Sequence, residues 1–124
     1  MQHNQIYNTD QSGIRKELHS SQTLHYKGMK SVRSSVRSEH ATTHSDTIQP
    51  DTSASGCMFP KMLVIYQEPQ GQFGVQVLQH MMKPQNLVQA VSKSGLIMKQ
   101  IMAQFFQEVF FPYIAREFLL LIDS

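Results

Sequence analysis

Tryptophan is absent from this 124-residue chain, and cysteine occurs once, as Cys57. A lone thiol excludes an internal disulfide and fits a reducing compartment. Cys57 follows a turn glycine and has no Cys or His partner at metal-ligand spacing, so it reads as an ordinary thiol. Long apolar runs are also missing. The most apolar region, Leu96 to Ile122, is broken by Lys99, Gln104, Glu108, Pro112, Arg116 and Glu117, which argues against a membrane span. The first twenty residues are polar and carry no secretory signal. Neither sign of charge dominates: 11 basic against 9 acidic residues leave a formal +2, too little by itself to argue for nucleic acid. These absences leave a soluble intracellular chain about one domain long.

What is present is organised around the last seven residues, Phe118-Leu-Leu-Leu-Ile-Asp-Ser124. Five consecutive apolar residues are short for a helix and predict a strand buried on both faces. Asp123 follows at once, and in open α/β sheets ligands and metals collect at the carboxyl ends of strands. Near the other end, Gln5-Ile-Tyr-Asn-Thr9 predicts a short strand leading to Asp10, with Gln11-Ser-Gly13 turning the chain afterwards. An acid therefore closes a strand twice.

Between them, residues 14–40 show no clean period and predict a long irregular connection, within which Lys30 to Arg37 alternates loosely as an exposed basic strand. Lys27, Lys30, Arg33 and Arg37 are the candidate phosphate contacts, set against the plain reading of a solvated surface. His40 and His44 are four apart but lie in loop or strand, which does not make a helical metal pair. Thr47 and Ile48 favour extended backbone, and Pro50 predicts an edge strand or a bend. Lys61 to Tyr66 is a β-branched and aromatic run across the Gly56 turn from that stretch, which suggests a hairpin. Gly71-Gln-Phe-Gly74 reads as a turn, and Asn86 to Val91 as a further short strand. Ser92 or Ser94 is then available to cap a helix in which Ile97, Met98, Ile101, Met102, Phe105, Phe106 and Val109 form an apolar stripe, ended by Pro112.

In order and spacing, a set of segments resembles the DDE superfamily endonuclease domain of pogo-like transposases, in the Tc/mariner group. They are Asn8-Thr-Asp-Gln-Ser-Gly13, Thr23-Leu24 with Lys27-Gly28, Thr42 to Pro50, Gln67 to Gly74, Val91 to Gly95, Phe106 to Pro112 and Leu119 to Ser124. The resemblance covers nearly the whole chain. It implies a ribonuclease H-like α/β fold, a mixed sheet with packed helices, in which the first catalytic acid ends the first strand and the second ends a later central strand beside it. Asp10 and Asp123 occupy those positions.

The same resemblance implies Mg²⁺ or Mn²⁺ as cofactor, DNA as partner and the nucleus as location. In-line phosphodiester chemistry is served by two divalent ions about 3.5–4 Å apart, and carboxylates supply the hard oxygen ligands such ions need. Asp10 would bridge the ions and Asp123 would hold one of them. The family's third acid lies on a helix after the next strand, beyond Ser124, so the expectation is a partial domain that binds metal weakly and does not cut DNA efficiently alone. The edge of the last strand is then open to pair with a full-length transposase or with a second copy. Two departures stand out: Gln22, where an arginine is usual, and Asp46, where an aromatic is usual and where a charge is expected to disturb the hairpin.

Overall fold

The computed structural model describes residues 2–16, 27–28 and 45–123. The fold is mixed α/β. Its strands are β1 (Ile6–Thr9), β2 (Ser12–Arg15), β3 (Ser45–Gln49), β4 (Asp51–Ser53) and β5 (Met62–Gln67). A short helix α1 (Val75–His80) precedes β6 (Leu87–Ser92), and α2 (Lys99–Gln104) runs on through a π-helical turn, Phe105–Phe110, towards β7 (Leu119–Ile122). One sheet has the order β4-β1-β7 and the other β2-β3-β5-β6.

The two sheets continue one another in register. Thr9 lies opposite Asp51 and Ser12 opposite Ile48, so β1 and β2 are two halves of one extended stretch facing β4 and β3. The interruption falls at Asp10 and Gln11, across from Gln49 and Pro50. Pro50 breaks the ladder because it has no N–H to give. The sequence offered an edge strand or a bend there; the break falls at the junction of β3, paired on both sides by β2 and β5, and β4, which ends its own sheet beside β1. Gly13 likewise makes no turn: it is extended in β2, opposite Thr47. The expected hairpin does form, with β3 antiparallel to β5 in the register Thr47 to Ile65.

Period-two alternation places Tyr7, Thr9, Thr47, Gln49, Asp51, Leu63, Ile65, Val88 and Ala90 on one face of the sheet, where all are buried. Ile101, Phe105, Val109 and Phe110 pack onto that face from the helix. Leu63, Ile65, Phe105, Val109 and Phe110 are completely enclosed and form the centre of the core.

The helix differs from the sequence reading in three ways. Neither Ser92 nor Ser94 caps it: Ser92 ends β6 and donates its hydroxyl to the Leu96 carbonyl, while Met98 stands at the N-cap without a side-chain bond. Helical winding also passes through Pro112 as a final 3₁₀ turn, Phe111–Tyr113, since a proline in a first turn forfeits no needed N–H. And a π turn, with its i to i+5 bonding, brings Phe110 beneath Phe105, which a period of 3.6 would not do.

Gly95 fixes the crossing from β6 to this helix. It adopts φ +70°, and a Cβ there would collide with the Ser45 main-chain carbonyl oxygen. Its own carbonyl accepts from the Thr47 hydroxyl at 2.7 Å, so the turn is latched onto the start of β3. Asp46, expected to disturb this region, instead has its charge satisfied: one carboxylate oxygen accepts the Gln67 N–H at 3.0 Å and meets Lys16 Nζ at 3.0 Å.

The last strand departs most from expectation. β7 is not buried on both faces: Leu119, Leu121 and Ile122 are 45 %, 49 % and 51 % exposed. Among the described residues it pairs with β1 alone, so one edge and much of both faces meet solvent. Leu120 is the inward residue, packed against the core, and Phe118 anchors the strand by an edge contact with Phe110 at 5.3 Å.

Candidate acid pair at the strand ends

β1 and β7 run parallel, with Ile6 beside Leu119 and Thr9 beside Ile122. Asp10 and Asp123 are the next residues on their respective strands. Neighbouring strands lie about 4.8 Å apart, so two acids far apart in sequence emerge side by side. Both are exposed.

One contact orients Asp10. Its Oδ1 accepts the Gln11 N–H at 2.8 Å. In an antiparallel ladder successive N–H groups point to opposite sides. Asp10 N–H donates towards β4, to the Pro50 carbonyl at 3.4 Å, so Gln11 N–H faces the other way, towards β7.

The donor set fits a hard divalent cation in kind: two carboxylates, all oxygen, open to water. In number it is partial. Among the described residues no three His, Cys, Asp or Glu side chains converge on one point. Lys27 is an exposed turn residue beside Gly28, which takes φ +105°. Lys30, Arg33, Arg37, His40 and His44 lie outside the described residues. Cys57 is exposed and free.

The sequence reading missed a buried polar cluster around Thr9, the residue before Asp10. Asp51 is 2 % exposed, and neither of its carboxylate oxygens has a hydrogen-bond partner. Burial pushes its pKa from 3.8 to about 6, against a smaller lowering influence from the Thr9 hydroxyl. Thr9 and Asp51 form a pair without ladder hydrogen bonds, the closer kind in an antiparallel sheet. The Thr9 hydroxyl also accepts from Gln49 Nε2 at 2.9 Å, while Gln49 Oε1 is buried without a partner. The one available signal was parity: Thr47, Gln49 and Asp51 alternate onto the face shared by Leu63 and Ile65.

Among the described residues a cleft of about 690 Å³ lies elsewhere, along β6 at the far edge of the sheet from β7. Its walls carry Lys61, Lys83 and one acid, Glu108, and none of Asp10, Asp51 or Asp123. Chemistry, not volume, therefore picks out the strand ends. Comparison with protein-family models, with curated proteins and with solved structures found no match to this chain.

Proposed function

We propose that the chain is a transposase-derived domain of ribonuclease H-like type, acting on DNA in the nucleus, in which Asp10 and Asp123 hold a divalent cation. The observation that supports this most is the parallel register of β1 and β7, which sets the first residue after each strand next to the other. The sheet adds to it: β1 with β2, β3 with β4, and β5 run antiparallel in turn, and β7 returns parallel to the first of them. Order and direction are those expected when the first acid ends the first strand and the second ends a neighbouring later one.

In this reading Asp10 and Asp123 supply carboxylate oxygens and negative charge. Gln11 N–H steadies the Asp10 carboxylate. A bound Mg²⁺ or Mn²⁺ would supply charge stabilisation for phosphoryl oxygens. With two ligands from the described residues, binding is weak and the geometry underdetermined, so the chain alone does not cut DNA efficiently. Basic side chains, Lys27 among them, add salt-sensitive attraction to phosphate.

The test is duplex DNA binding followed by fluorescence anisotropy with and without Mn²⁺. The expected result is weak association that falls with salt, tightened by Mn²⁺, with the Mn²⁺ increment lost in Asp10→Asn. DNA binding indifferent to Mn²⁺ would contradict the reading.

A second reading has its own support in the exposed β7. A strand with an open edge and no Lys or Pro between Phe118 and Ile122 has none of the usual guards against pairing. In it, the chain works by joining a full-length transposase or a second copy through that edge. Light scattering should then show concentration-dependent association that Leu121→Lys lowers; a monodisperse monomer at all concentrations would count against it.

A further inference from the structure

β6 ends its sheet: among the described residues β5 is its one neighbour. In a parallel ladder the N–H and C=O of one residue turn to the same side, and those of the next turn away. Asn86 C=O accepts Met62 N–H and Ser92 C=O accepts Glu68 N–H, each at 3.0 Å, so the even-numbered residues face β5. Gln89 and Val91 therefore turn their N–H and C=O outwards. Among the described residues none of these groups has a partner.

That edge opens into the cleft of about 690 Å³. Every residue from Leu87 to Val91 lines it, whichever face its side chain takes, as happens where a strand is met edge-on. Ile101, Gln104 and Glu108 wall it on the core face. Phe73, Leu78 and Met81 wall the other face, where Phe73 meets Tyr66 of β5 edge-on at 5.6 Å. Two smaller hollows continue the cleft at either end of β6: one shares Lys61 and Gln85 and reaches Tyr113, the other shares Val91 and Ile101 and reaches Gly71, Lys93 and Met98. Lysines thus mark both ends of the trough, Lys61 and Lys83 where β6 begins and Lys93 where it finishes, against one acid, Glu108. Between them, Leu87 to Ser92 holds no Lys, Arg or Pro to guard the edge.

We propose that this trough binds an extended, acidic peptide segment of another protein, which adds to the sheet beside β6. Gln89 and Val91 each offer a main-chain donor and acceptor, which a peptide backbone matches; a phosphate brings acceptors only and would face two carbonyls. Side chains of the added strand fall alternately towards Ile101 and towards Leu78, and its flanking carboxylates meet the lysines at the two ends. β6 is six residues long, and a segment of similar length fills it. No residue of the acid pair takes part.

The probe is a blocked, fluorescein-labelled peptide, Glu-Glu-Val-Ile-Val-Tyr-Glu-Glu, titrated with the full chain by anisotropy, with amide hydrogen exchange read by NMR. Saturable binding is expected, with exchange slowed at the Gln89 and Val91 N–H groups; those of Val88 and Ala90, bonded to β5, are slow with or without peptide. The same peptide with Lys for every Glu should not bind. Of two peptides N-methylated at alternate residues, one should lose binding and the other keep it, because a single edge of the added strand faces β6. Lys83→Glu combined with Lys93→Glu, both exposed, should weaken binding on the order of tenfold and leave the unfolding midpoint near the native value.

Binding without protection of Gln89 and Val91, or equal binding of the lysine peptide, would overturn the proposal. So would slow exchange of those two amides in the free chain, since the edge would then already be covered. Absence of binding by the acidic peptide overturns it as well; if the double variant then also loses duplex DNA binding, the lysines serve phosphate instead.

Discussion

Phe110→Ala should cost about 3–5 kcal/mol, the usual range for truncating an enclosed aromatic, and in a domain this small that approaches the whole of its stability. Phe110 is fully buried and is the ring on which separate parts of the chain meet. It makes edge contacts with Tyr7 of β1 at 5.6 Å and with Phe118 before β7 at 5.3 Å, and it stacks on Phe59 at 5.5 Å. The two strands that carry Asp10 and Asp123 are therefore tied together through one side chain as well as through their ladder. Urea unfolding should show a midpoint close to zero denaturant, or no cooperative transition. Phe111→Ala is the control: that ring is 53 % exposed, and its loss should cost under about 1 kcal/mol. Equal effects from the two substitutions would contradict the packing described.

The second large effect is a pH dependence centred on Asp51. Its folded pKa of about 6 stands above the ordinary 3.8 because burial penalises the charged form. Between those values the folded chain holds a proton that the unfolded chain releases. Stability from this group is therefore greatest below about pH 4, falls as pH rises through 6, and is flat above. The span corresponds to roughly 3 kcal/mol lost by neutral pH. Asp51→Asn should remove the slope between pH 4 and 6 and raise stability at pH 7. The amide carries no charge and brings two donors to a cluster whose Gln49 Oε1 lacks one. Urea midpoints measured across that range decide it: a native chain with the same slope as Asp51→Asn would show that Asp51 does not carry the effect.

Both effects fall on residues that the sequence did not mark, and the reasons are physical. Strand ends were legible because a strand-like stretch stops at a charged residue: Gln5 to Thr9 before Asp10, and the apolar run Phe118 to Ile122 before Asp123. Phe110 was not, because the stripe drawn at helical period runs Ile101, Phe105, Val109, and only the π turn brings the next residue onto it. Asp51 drew no reading at all, since Asp beside Pro and Thr is common in loops. Its burial comes from strand parity set by Leu63 and Ile65 across the sheet. The α1 helix left no trace either, as it buries none of its residues. Gly13 misled in the opposite sense: glycine permits a turn, but here the backbone stays extended in the pairing with Thr47. As for the exposed β7, a run of five apolar residues says that a strand wants cover on both faces; it does not say what provides it.

The claim on which the rest depends is that Asp10 and Asp123 act together on one cation. Mn²⁺ titrations of the native chain, Asp10→Asn, Asp123→Asn and the double variant test it in a single cycle. The account predicts that either substitution removes most of the binding and that the double variant loses little more, because two ligands of one ion are coupled. Losses that simply add, or binding untouched by either change, would contradict it.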